Sequence, residues 1–183
     1  MSVIHTWGST AAERAEEFAC DRQLAPPYAT LFRAVDVRAP IELTYRWLCQ
    51  LRAAPYSYDY LDNFGRRSPR TRDPKNERLA VGQRVMRIFR LADFEQNRHL
   101  TLVLDATKLF GELACSYTVR LAPDGSRIVV KLVCRLPRSP LRWVLPAGDL
   151  IMMRKQLLTL KALAEREHST AGGPSLACGG KPA

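Results

Sequence analysis

The chain has 183 residues, 46% of them hydrophobic, a size and composition suited to one domain around a single core. Its formal charge of +10 leaves nucleic acid, an anionic membrane or an acidic ligand open as partners. Five widely spaced cysteines, odd in number, argue against a disulfide framework or a zinc motif. The start lacks a basic region followed by an apolar run, and no stretch reaches the roughly 18 uncharged apolar residues of a membrane span, so a cytoplasmic protein is expected.

In chain order, Thr10 and Glu13 form a capping box ahead of a short helix, within an N-terminal extension over residues 1–30. "LFRAVDV" reads as a strand, and "RAPIELTYRWLCQL" places Ile41, Tyr45, Leu48 and Leu51 at helical spacing after Pro40. "LRAAPYSYDYLDNFGRRSPR" combines alternating tyrosines with turn residues and reads as a connection rich in aromatic and charged side chains. Between Arg66 and Arg90 nine Arg or Lys face two acidic residues, so much of the positive charge sits in this one segment. The segment reads either as a solvated loop or as an anion-binding patch.

From Gly82 the apolar period becomes two. "RVMRIFRL" leaves its inward face undecided between Met86 with Ile88 and Val85 with Phe89. Leu100, Leu102 and Leu104 share a face in the next run, as do Leu113 to Leu121 and Ile128 to Leu136 at alternate positions in the two after it. His99, Thr101 and Asp105 fall on the opposite, solvent-facing side. Asp149 is placed to cap a long helix with a stripe of Leu150, Met153, Leu157, Leu160 and Ala164 and a second apolar line of Ile151, Leu158 and Ala162. Residues 168–183 have little to bury and are expected to be disordered.

Strand, helix, irregular aromatic segment, antiparallel strands and a final long helix make an α+β layout, a curved antiparallel sheet wrapped around the C-terminal helix. This order resembles the helix-grip (START-like) fold of the SRPBCC superfamily, which includes START and polyketide cyclase-like proteins. "RAPIELTYRWLCQLRAAPYSYDYLDNFGRRSPR" and "GDLIMMRKQLLTLKALAE" are similar to signatures of actinobacterial-type members, and the similarity spans roughly Trp7 to Glu167. The resemblance implies a ligand-binding domain over residues 31–167 with a cavity between sheet and last helix for lipids, sterols, polyketides or other apolar molecules. It implies no particular reaction.

Tyr117, mid-strand among apolar neighbours, needs a hydroxyl partner in the protein or in a ligand. Tyr56, Tyr58 and Tyr60 are candidates to wall a cavity, Tyr58 first among them, with at least one packing on the adjacent helix. Asp62 and Asn63 either orient a ligand hydroxyl or cap a turn. Arg66 and Arg67 offer planar forks for a carboxylate, phosphate or enolate oxygen, or else pair with Asp59 or Asp62. Phe89, Cys115, Leu132, Trp143, Met153 and Leu157 complete the expected cavity lining.

For catalysis, the side chains fit proton-transfer cyclisation or dehydration of a polyketide-like substrate. Tyr58 or Asp62 would move protons, and Arg67 or Tyr117 would hold an enolate oxygen. The alternatives are a non-enzymatic carrier or sensor and, from another class, a basic-patch nucleic-acid or anionic-membrane binder. That last reading lacks interleaved aromatics and a helix-turn-helix. No cofactor is expected, and His5, His99 and His168 are not at metal-ligand spacing. No G-x-S-x-G, Walker A or G-x-G-x-x-G motif occurs. A monomer and a homodimer are both compatible with the sequence.

Overall fold

The computed structural model describes residues 2–58, 65–104, 111–135 and 141–171, with only the backbone for 141–145. Short helices α1 (Val3–Thr6) and α2 (Ala11–Ala15) precede strand β1 (Ala29–Val37) and helix α3 (Ile41–Cys49). Strands β2 (Arg84–Val85), β3 (Phe89–Glu95), β4 (His99–Leu104), β5 (Leu113–Ala122) and β6 (Gly125–Cys134) follow, then helix α4 (Leu141–Ala171). The strands form one antiparallel sheet in the order β1-β6-β5-β4-β3-β2, with α3 and α4 on one face. This is the α+β arrangement that the element order predicts.

Period-two patterning assigns the inner faces except at Leu121, expected inward but 81% exposed because it lies at the end of β5 next to the turn into β6. Leu31, Val37, Leu100, Leu102, Cys115, Tyr117, Val119, Ile128, Val130 and Leu132 all enter the core shared with α3 and α4. The undecided run "RVMRIFRL" is two strands joined by a tight turn. Met86 and Arg87 take left-handed φ of 47° and 67°, and Val85 pairs with Phe89. A register shift between Leu91 and Asp93 then lets both Leu91 and Phe94 reach the core.

The opposite face is closed by the N-terminal extension. Its capping box forms as the sequence predicts, with Thr10 and Glu13 bonding each other's backbone amides. Phe18, Cys20 and Leu24 pack on Phe32, Ala34, Ala114, Val129 and Val133. Beneath them the Thr101 and Ser116 hydroxyls lie 2.8 Å apart, the Cys20 amide donates to Ser116 Oγ at 2.9 Å, and Lys131 pairs with Asp21 at 2.7 Å. Thr101 is therefore buried rather than solvent-facing, because strand alternation alone does not show what another segment covers. His99 is half-buried near Asp93, and Asp105 lies outside the described residues.

Helix α4 corrects two further expectations. It begins at Leu141, so Asp149 is interior to the helix and is not its N-cap, and Pro146 sits within it. Proline removes one ladder donor, but this stretch is held from outside by hydrogen bonds from Arg33 to the Pro146 carbonyl and the Asp149 carboxylate. The expected second apolar line is on the surface, with Ile151 57% and Leu158 37% exposed, so the buried stripe is narrower than the sequence suggests. The helix runs past His168 to Ala171.

Candidate functional site

Strand register sets one row of residues across the inner face. Arg33 pairs with Val130, Val130 with Tyr117, and Tyr117 with Leu100. The neighbouring row is Leu31, Leu132, Cys115 and Leu102. Arg33 falls in the first row because β1 alternates Leu31, Arg33, Val35 and Val37 inward, and it is only 1% exposed. Two strand spacings separate its Cα from that of Tyr117, roughly 10 Å.

Over this row lies the first half of α4. Asp149 Oδ2 accepts from Arg33 Nη2 at 2.7 Å, and Arg33 Nη1 donates to the Phe32 carbonyl at 2.7 Å. Arg33 Nε is buried with no hydrogen-bond acceptor among the described residues. Burial lifts the Asp149 carboxyl above the usual carboxylate range, with Arg33 pulling against it. An ion pair with a donor left over in an apolar interior costs more than a closed one.

About two turns along the helix, Gln156 supplies the partner that Tyr117 requires. The Tyr117 hydroxyl donates to Gln156 Oε1 at 2.7 Å, and Gln156 Nε2 donates to the Pro55 carbonyl at 2.6 Å. Strand β5, helix α4 and the connection after α3 are thereby tied at one point. Burial pushes the Tyr117 hydroxyl well above the usual phenol range, so it remains a hydrogen-bond donor near neutral pH. Cys115 and Cys134 are likewise raised by burial, Cys134 to about 11, which keeps them as thiols rather than nucleophilic thiolates.

The remaining sequence-predicted residues divide between interior and surface. Cys115, Leu132, Met153 and Leu157 belong to the same core as Tyr117, and Phe89 packs partly buried against it. Leu132 and Met153 keep 6% and 9% exposure, whereas Val130 and Leu157 have none. Tyr56 is buried at a left-handed φ of 57° and meets Trp47 of α3 edge-on, 6.3 Å between ring centroids. It is the tyrosine that packs on the adjacent helix. Tyr58 is 41% exposed, and Arg66 and Arg67 are exposed. Asp62 and Asn63, with Asp59 and Tyr60, lie outside the described residues, as does the side chain of Trp143.

Sequence reasoning missed Arg33, Asp149 and Gln156 as candidate site residues. The signals were parity and period: Arg33 has the inward parity of β1, while Asp149 and Gln156 interrupt the buried stripe of α4 at helical spacing from Met153 and Leu160. Among the described residues no group of three or more His, Cys, Asp or Glu side chains could hold a metal ion. No helix among them is long and apolar enough to cross a membrane.

No protein-family model and no curated protein matches the chain. Solved structures do. The protein MLL2253 of Mesorhizobium loti matches with a TM-score of 0.51 at 15% identity, over 75% of this chain and 97% of its own. The di-domain ARO/CYC StfQ from the steffimycin biosynthetic pathway matches with a TM-score of 0.52 at 12% identity, over 78% of this chain and 52% of its own. At such identities the likeness is one of fold: the chain has a helix-grip fold, a curved antiparallel sheet packed on a long C-terminal helix.

Proposed function

We propose that the protein binds one apolar or amphipathic small molecule between the inner face of the sheet and α4. The observation that carries this reading is the pairing of apolar walls with isolated polar groups in one buried row, Arg33 with Asp149 and Tyr117 with Gln156. Sites for small organic ligands combine mainly hydrophobic linings with a few fixed polar groups that orient the molecule. Arg33, with an unused buried donor, is the anchor for a ligand oxygen, and Tyr117 is a second donor. Leu132, Cys115, Met153 and Leu157 supply the wall.

The fold shared with StfQ, an ARO/CYC of a biosynthetic pathway, makes aromatic polyketides the first ligands to try. Catalysis would use the same groups. Asp149, raised by burial, is the candidate base, while Arg33 and Tyr117 would stabilise a developing enolate oxygen. The test is a titration with an environment-sensitive apolar dye, followed by displacement with fatty acids, sterols and aromatic polyketides. Saturable one-to-one binding with displacement by at least one class is expected. Absence of saturable dye binding would remove the reading.

A further inference from the structure

A cleft of about 330 Å³ lies between the Arg70–Pro74 segment and the last turns of α4, away from the row around Arg33 and Tyr117. Trp47, Arg70, Thr71, Arg72, Pro74, Arg166, Glu167 and Thr170 line it. Its one lining carboxylate is already committed. Glu167 accepts from Arg72 Nε at 3.0 Å and Nη2 at 2.6 Å and from the Trp47 indole at 2.9 Å, while Arg72 also pairs with Glu77. Hydrogen bonding to Arg72 holds the Glu167 carboxyl below its usual range, so it stays charged and paired.

Arg70 and Arg166 are left over. Arg166 Nη2 donates to the Arg70 carbonyl at 2.7 Å, which fixes the two residues side by side. Neither guanidinium has a carboxylate partner among the described residues, and both are exposed. Helix α4 ends here, and its negative end opposes an anion by about half a charge, against two full positive charges from the arginines. Electrostatics therefore favours the anion. Two guanidinium forks and the Thr71 hydroxyl offer more donors than the two oxygens of a carboxylate can accept, whereas a phosphate monoester presents three terminal oxygens and close to two charges.

We propose that this cleft is a second site, independent of the interior one, which binds a phosphate monoester through Arg70, Arg166 and Thr71. The cleft is larger than a bare phosphate ion needs, which leaves room for the esterified group beside Pro74. The phosphate could belong to a soluble metabolite or to a lipid head.

The experiment titrates the full chain by calorimetry with glycerol 3-phosphate, using glycerol as control. Co-sedimentation with phosphatidylcholine vesicles, with and without phosphatidic acid, forms the second arm. The expected result is saturable binding in at least one arm, weakened about tenfold or more by Arg70→Gln with Arg166→Gln. Binding in the vesicle arm alone would assign the phosphate to a lipid. Should the double variant misfold, Arg70→Gln alone serves, because that side chain bonds nothing among the described residues. No saturable binding of either probe, or binding unchanged in the variants, overturns the site. Because the dye titration reports on the interior, failure of either proposal leaves the other standing.

Discussion

The two faces of the sheet bury polar groups in opposite ways. On the outer face Thr101 bonds Ser116, which accepts from the Cys20 amide, and Lys131 bonds Asp21, so both pairs are tied to the segment that covers them, as in polar contacts that fix a fold. On the inner face the polar groups stand apart among leucines and cysteines, and Arg33 keeps a buried donor with no acceptor among the described residues. The first arrangement pairs its buried groups within the protein, and the second leaves the Arg33 Nε donor over. On the proposed reading, completeness is what separates polarity that holds the fold from polarity left for a ligand, since both sets are buried.

The largest expected effect breaks the inner pair. Asp149→Ala leaves the Arg33 guanidinium buried without its counter-ion and should cost about 3 kcal/mol in urea denaturation, and a loss below about 1 kcal/mol would mean that Arg33 finds other partners. Next comes the ion pair that holds the outer cover. Glu13 lies at about 2, below its ordinary 4.5, because hydrogen bonds from Arg127 and Thr10 outweigh the opposing effect of burial. A lowered carboxyl contributes stability that is present above its unfolded value and lost as pH falls towards 2. Glu13→Gln should therefore flatten the loss of stability between pH 5 and pH 2.5 by about 2 kcal/mol, measured as denaturation midpoints across that range.

Replacing both members of the inner pair with apolar residues, Arg33→Met with Asp149→Leu, should preserve the fold while removing the anchor. Preference for a long-chain carboxylate over the matching alcohol should then fall about tenfold in dye displacement, the scale of one charge-assisted hydrogen bond. An unchanged preference would move the anchor elsewhere, Arg67 being the first alternative. Tyr117→Phe strands Gln156 Oε1 and should cost about 1 kcal/mol. Smallest is Arg67→Ala: this exposed side chain should change stability by less than about 0.5 kcal/mol, read from thermal unfolding.

Local periodicity carried the sheet and both core helices, because alternate positions of β4, β5 and β6 and the stripe of Met153, Leu157 and Leu160 are apolar for the reason the pattern assumes. What failed depended on contacts distant in sequence. Thr101 reads as exposed until the segment around Cys20 is laid over it, and Asp149 reads as a helix cap until Arg33 is found on β1 across from it. The interior that the proposed site occupies was legible in part. Tyr117, Cys115, Leu132, Met153 and Leu157 follow from inward parity, whereas Arg33, Asp149 and Gln156 were hidden because charged or amide side chains at inward positions conventionally signal a surface. Tyr56 was one of three tyrosines the sequence offered for a wall or for packing on the adjacent helix, and its left-handed backbone and edge-on contact with Trp47 needed the fold.

The most direct test of the contrast between the faces is methyl NMR of the full chain titrated with a ligand that displaces the dye. The methyl resonances of Leu132, Met153 and Leu157 on the inner side should shift together and saturate at one equivalent, while those of Leu24, Val129 and Val133 beneath the N-terminal cover should stay in place. Saturating shifts confined to the outer set, or no saturable shift in the inner set, would contradict the account.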